Sequence, residues 1–183
     1  MYPVIRMVKE LSKFRRSPRL GLFDTHVSQH VCWPWDIDLW RELNNGRTLT
    51  LYDLGRVTLF MRIGVIDLMR RRRWAGTIAG ASVRYRRRVR MFDRFEMRSR
   101  IIGWDARFLY LEQSMWRGDE ATSHVLLRTA VTSAKGLVPM DEAAVAMAHE
   151  GASPPLPDWV TAWVKAEAQR PWPPMPPSPP SAP

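Results

Sequence analysis

The spacing of apolar positions changes several times along the chain, and each change predicts an element. Val4, Ile5, Val8 and Leu11 recur at helical intervals with Arg6, Lys9, Lys13, Arg15 and Arg16 between them, a short basic amphipathic helix over residues 1–16. Docking of that helix on the domain and a weak membrane-surface contact are both open readings. "SPRLG" (Ser17 to Gly21) breaks the pattern, and "THVSQHVCW" then alternates Val27, Val31 and Trp33 with polar residues, as a strand does. From about Arg47 the helical period returns. Leu51, Leu54, Val57, Met61 and Val65 form one stripe, and Leu49, Tyr52, Leu59, Phe60 and Ile63 form a second. A helix apolar over so much of its circumference belongs inside a protein.

Gly64 is the expected stop of that helix, followed by a second short one over "VIDLMRRRRW", whose arginines offset the negative end of the helix dipole. Beyond Gly76 to Gly80 come four strand signals: "ASVRYRRRVRM", "DRFEMRSRIIGW", "DARFLYLEQSMW" and "ATSHVLLRTAVTSA". The turns "GWD" (Gly103 to Asp105) and "RGDE" (Arg117 to Glu120) separate successive strands of an antiparallel meander. Strand, long buried helix, then four strands is an α+β order. Its economical solution is a curled antiparallel sheet wrapped around the helix, with surface left over for a dimer. The expected organisation is an N-terminal helix and linker over 1–20, a main domain over 21–150, a short helix within 151–170, and a Pro-rich disordered tail over 171–183, which holds eight of the fifteen prolines.

With 183 residues and 45% hydrophobic content, the chain can bury a core without staples. Its single cysteine, Cys32, excludes an internal disulfide and reads as a packed thiol, and the four histidines show no metal-ligand spacing. No metal and no cofactor are expected. The N-terminus lacks the apolar core of a secretory signal, so a cytoplasmic location is expected. A net charge of +10 attracts polyanions, whether nucleic acid, anionic lipid or a phosphorylated small molecule. The arginines are scattered over strands and helix ends without a nucleic-acid motif, so no nucleic-acid partner is expected.

The candidate chemistry lies in "WPWDIDLWRELNNGRTLTLYDLGR" (Trp33 to Arg56), where acids and asparagines are interleaved with tryptophans directly before the buried helix. Asp36, Asp38, Asn44, Asn45, Asp53 and Arg56 stand at the places of a "D-x-D-x-x-G-H-x-N-N" run and its sequel. In this the chain resembles the hotdog-fold thioesterases of the 4-hydroxybenzoyl-CoA thioesterase type. "NNGR", "RYRR" and "GWD…FLYLE" resemble more closely a subgroup of bacterial and eukaryotic thioesterase-superfamily proteins. The resemblance covers roughly residues 20–140.

It implies hydrolysis of an acyl-CoA or acyl-carrier-protein thioester by a homodimer or tetramer of hotdog subunits, with Asp38 as the catalytic carboxylate. The amides of Asn45, Gly46 and Arg47, at the positive end of the helix, are placed to polarise the thioester carbonyl. Asn44 or Asn45 caps the helix, and either is also a candidate to orient water. The family's Gly-His pair is Arg41-Glu42 here, and a frequent aromatic is Thr48. Glu42 is therefore a candidate second carboxylate, or else the ion-pair partner of Arg41. Arg84, Arg86, Arg88 and Arg90 are expected on one strand face, either solvated or gripping the phosphates of CoA. The competing reading is a non-catalytic hotdog that binds acyl-CoA or lipid.

Overall fold

The computed structural model describes residues 2–174. Nine of the thirteen residues of the expected Pro-rich tail, 175–183, lie outside the described residues. The elements are α1 (Val4–Phe14), β1 (His26–Val31), a 3-10 turn (Pro34–Asp36), α2 (Asn45–Arg62), α3 (Val65–Arg72) and β2 (Ala75–Tyr85). They continue as β3 (Arg94–Trp104), β4 (Leu109–Arg117), β5 (Glu120–Ser133), β6 (Gly136–Leu137), α4 (Met140–Ala146) and α5 (Asp158–Ala168). The sheet is antiparallel in the order β1-β3-β4-β5-β2, with β6 added to β5.

The buried helix is α2, and the sequence explains both of its ends. Asn44 caps it by accepting the Arg47 amide at 3.0 Å on Oδ1, and Gly64, at φ +80°, takes the left-handed turn into α3. Between residues 51 and 63 no position is exposed. Leu51, Tyr52, Leu54 and Leu59 pack against Phe95, Met97 and Ile101 of β3, Leu111 and Met115 of β4, and Val125 and Leu127 of β5. Each such side chain contributes about 1.5–3 kcal/mol on burial. Gln113 fastens helix to sheet, its Nε2 donating to Tyr52 O and Ser99 Oγ, both at 2.8 Å. The Asp53–Arg56 ion pair on α2 forms as its spacing suggests.

The closest approach of α2 to the sheet is at Gly55. A Cβ there lies 2.5 Å from Ser99 Oγ and 2.6 Å from Met97 Sδ, and both residues are fully buried. Gly55→Val is expected to cost about 2–3 kcal/mol, read as a lowered urea midpoint. An unchanged midpoint would show that the core yields at this contact.

α1 lies against α2 and β1, burying Met7 and Glu10, and Phe14 meets the His26 ring edge-on at 4.6 Å. The opposite face of the sheet is covered by α5, whose Val160, Trp163 and Val164 pack on Tyr110 and Leu126.

Three expectations are corrected. The inward side of β1 carries His26, Ser28 and His30, while Val27 is exposed, the reverse of the apolar alternation. The strand expected over 81–91 begins at Ala75, with Gly76 and Gly80 inside it, and stops at Tyr85. Arg86, Arg88 and Arg90 therefore do not share a strand face with Arg84. The amides of Arg86 and Arg87 both turn onto Thr122 O (2.8 and 3.0 Å), which ends the ladder and starts a loop. Lastly, Gly103 and Trp104 remain in β3, and the turn is built by Asp105, whose Oδ1 accepts the Arg107 and Phe108 amides.

Candidate active site

The two acids of the "D-x-D" run have opposite surroundings. Asp36 ends the 3-10 turn and is 1% exposed. Its Oδ2 accepts Arg6 Nη1 at 2.7 Å and the Trp33 amide at 3.0 Å, and its Oδ1 accepts Arg47 Nε at 2.6 Å. Burial works against its charge. The Trp33 amide and the Arg47 and Arg6 guanidinium groups outweigh that burial and hold its carboxyl below the usual range. Asp36 thus ties α1, the 33–36 turn and α2 together.

Asp38 turns onto its own loop. Its Oδ1 accepts the Trp40 amide at 2.8 Å and makes a long contact of 3.5 Å with the Glu42 amide, while its own amide donates to Glu42 O at 2.9 Å. Arg41 sits in the left-handed region at φ 58°, closing the loop over Asp38.

Glu42 emerges from that loop beside α2. It pairs with Arg88 Nε at 2.9 Å, and not with Arg41. It lines a cavity of about 220 Å³ together with Leu43, Asn45, Thr48, Tyr85, the 86–89 loop, Thr122 and Ser123. The Leu43 amide donates to Val89 O at 2.8 Å, and the Tyr85 hydroxyl to Asn45 O at 3.1 Å, closing two of its walls. Ser123 Oγ lies 2.9 Å from Tyr52 Oη. The first-turn amides of Asn45 and Gly46 have no carbonyl to bond within the helix.

Of the residues expected from the sequence, Glu42, Asn45, Arg86 and Arg88 line this one cavity. Asn44 is the cap of α2, Arg47 is bound to Asp36, Gly46 stands exposed beside Asn44, and Arg84 is exposed on β2; with Asp38, these do not line it. Tyr85, Arg87, Thr48, Thr122 and Ser123 were not singled out as site residues. Tyr85 and Arg87 had a signal in the "RYRR" stretch and Thr48 in its departure from the family's aromatic, whereas Thr122 and Ser123 look ordinary until the fold brings them to the cavity. Burial, reinforced by Asp36 and Asp93, pushes the buried Cys32 thiol up to about 12, so it is a poor nucleophile. Among the described residues, no group of His, Cys, Asp or Glu side chains is arranged to hold a metal ion.

A curled antiparallel sheet around one long helix, with a polar cavity at that helix's N-terminus, is the hotdog class of α+β protein. Residues 32–164 match the model of the thioesterase-like superfamily, and the chain belongs to that family. Protein THEM6 of Xenopus laevis is 29% identical over 146 residues, which span 79% of this chain and 69% of that protein. Protein THEM6 of Drosophila melanogaster is 33% identical over 91 residues, 49% of this chain and 47% of that one. Solved structures of the same fold include YbaW of Escherichia coli, with a TM-score of 0.63 at 15% identity over 66% of this chain and 95% of that chain. A DHNA-CoA thioesterase of Staphylococcus aureus has a TM-score of 0.58 at 11% identity, covering 79% and 91%.

Proposed function

We propose that the chain hydrolyses an acyl thioester of coenzyme A, or of a carrier protein, in the cavity at the N-terminus of α2. The supporting observation is the meeting there of one carboxylate, Glu42, with the first turn of α2 and the cationic 86–89 loop. The thioester carbonyl rests against the Asn45 amide in the first turn of α2, where the helix dipole favours the developing oxyanion. Glu42 takes a proton from water as the water oxygen bonds to the carbonyl carbon. Collapse breaks the C–S bond, and the sulfur leaves as the thiol with the proton held by Glu42, giving a free acid and CoA. Arg86 and Arg88 meet the CoA phosphates, and a phosphate on Arg88 frees Glu42 from its ion pair. Asp38 holds the loop that carries Glu42.

We also propose a homodimer along β2. Among the described residues that strand pairs only with β5, and its side chains are exposed or half-exposed over its whole length, with Ile78 at 42%. An open edge of eleven residues calls for a partner strand. A second copy there also borders the cavity, which adjoins the end of β2.

With a panel of acyl-CoA substrates and a thiol reagent, Glu42→Gln is expected to lower kcat about a hundredfold. Asp38→Asn, which keeps an acceptor for the Trp40 amide, is expected to stay near wild type. The opposite pattern returns the catalytic role to Asp38.

A second reading is favoured by one contact. The cavity carboxylate is already paired with Arg88, as suits a protein that binds the thioester without cleaving it. Saturable binding of a non-hydrolysable thioether analogue with no turnover of any substrate would establish that reading.

A further inference from the structure

One end of the molecule exposes large apolar side chains that neither the cavity nor the β2 edge uses. Leu39 is 97% exposed, Trp40 78%, Trp35 67% and Phe92 58%. Trp33 and Trp35 stack at 5.5 Å, and Phe92 meets Trp33 edge-on at 6.2 Å. The two loops that carry these residues are bonded to each other. The Phe92 amide donates to Cys32 O at 2.7 Å, the Cys32 amide to Asp93 O at 2.9 Å, and the Leu43 amide to Val89 O at 2.8 Å.

Each loop also holds a side-chain-bearing residue in the left-handed region, Arg41 at φ 58° and Phe92 at φ 66°. For a bulky residue that conformation is strained, and here it accompanies a phenyl ring left in solvent. Arg6, bonded to Asp36 and to Val31 O, fastens α1 beside the same turn, and Val4, Ile5 and Val8 of α1 are exposed in their turn.

Cations predominate around this apolar surface, with Asp38 a carboxylate that forms no ion pair among the described residues. Arg41 and Arg90 are exposed and make no ion pair among the described residues, and Lys9 and Lys13 lie on the exposed side of α1. The nearby acids are already engaged: Asp36 with Arg6 and Arg47, Glu42 with Arg88, and Asp38 with its own loop. α1 has a single acid, Glu10, and it is buried.

We propose that this end docks on an anionic lipid surface. Trp35, Leu39 and Trp40 enter the headgroup layer, and the surrounding arginines and lysines meet lipid phosphates. Tryptophan suits that layer because its ring is apolar and its indole N–H still finds an acceptor. Exposed cations beside it add attraction to anionic lipids. A second copy suits the surface less well, because a two-fold contact through this patch gathers Arg41 and Arg90 of both copies into one interface. Among the described residues no helix is long and apolar enough to cross a membrane. The inference does not depend on hydrolysis; the mouth of the Glu42 cavity uses the same two loops.

The test is co-sedimentation of the full chain with vesicles of phosphatidylcholine alone and of phosphatidylcholine with phosphatidylglycerol at three to one. Binding to the anionic vesicles is expected, with a blue shift of tryptophan emission. The triple variant Trp35→Ser, Leu39→Ser, Trp40→Ser is expected to raise the lipid concentration for half-binding at least about tenfold. Arg41→Gln with Arg90→Gln, which leaves every apolar contact intact, is expected to weaken the preference for anionic vesicles. Failure to sediment with either vesicle overturns the proposal, as does undiminished binding by the triple variant. A wild type that ignores vesicles, with a triple variant of lower mass by light scattering, assigns the surface to a second copy and overturns it too.

Discussion

Between pH 7 and pH 5 the protein is expected to lose about 4 kcal/mol of folding free energy. The cause is the inward side of β1, where His26 and His30 lie under α1, exposed by 0% and 6%. Burial, aided by Arg62 and Lys13, pulls His26 down from 6.5 to about 4. Burial, aided by Arg6, Lys13, His26 and Lys9, pulls His30 down to about 3. The available partners favour the neutral rings: Ser28 Oγ is 2.8 Å from His30 Nε2, and the Arg62 guanidinium donates to His26 Nδ1 at 3.1 Å. A histidine whose pKa is lower folded than unfolded takes up its proton more readily in the unfolded chain. Stability is therefore complete above about pH 6.5 and drains away as the pH falls toward the folded values.

At pH 5 each ring is about 1.5 units below its unfolded pKa, worth about 2 kcal/mol. Glu10, whose pKa burial raises, acts in the opposite sense, its burial being less costly as the pH falls. Glu112, drawn down to about 2 by its bond with His124 and by Arg100 despite burial, adds its loss only below about pH 4.5. The histidines thus carry the loss in the upper window. Thermal unfolding monitored by circular dichroism should show Tm falling by about 10 °C from pH 7 to pH 5. His30→Asn should halve that slope. A flat Tm over the interval would mean that the rings take up protons in place.

The same strand shows where pattern reading fails. A period of two reports which residues share a face, not which face is buried. "HVSQHV" puts its valines outside because Phe14 of α1, Ser28 of β1 itself and Arg62 of α2 supply partners that let the histidines go inside. α2 was legible because its apolar residues fill more than one stripe, which only a buried helix needs. "RYRRRVR" alternates well enough to be a strand, yet the Arg86 and Arg87 amides both find Thr122 O and the ladder ends. Gly76 and Gly80 look like a linker but belong to an edge strand whose side chains carry little packing. Glu42 and Asn45 were legible by their proximity to the helix start, and Arg86 and Arg88 only as members of an arginine-rich run. Which acid of "D-x-D" turns inward was not, because the 3-10 turn fixes that choice and leaves no periodic trace.

The outcome of that choice makes Asp36→Ala the most disruptive substitution in the 33–47 region. Asp36 is fully buried, whereas Arg6 and Arg47 keep 17% and 15% of their side chains exposed, so the arginines were brought inward around a fixed anion. Removing that anion takes from Arg6 and Arg47 the buried carboxylate they share and from the Trp33 amide its acceptor, expected to cost about 4 kcal/mol. Arg6→Gln should cost less, since Arg47 still neutralises the carboxylate, and Asp36→Ala combined with Arg6→Gln should fall short of additive. Because the Asp36 pKa is depressed, its contribution is present above the ordinary carboxylate pKa and is lost only as the pH falls through the folded value, below about pH 4. That window lies beneath the histidine transition, so wild type and Asp36→Ala should differ by a constant amount from pH 7 to pH 5 and converge below it. Urea midpoints at pH 7, 5 and 3 measure this directly. A deficit under about 1 kcal/mol at pH 7 would show that α1, the 33–36 turn and α2 stay together without their shared carboxylate.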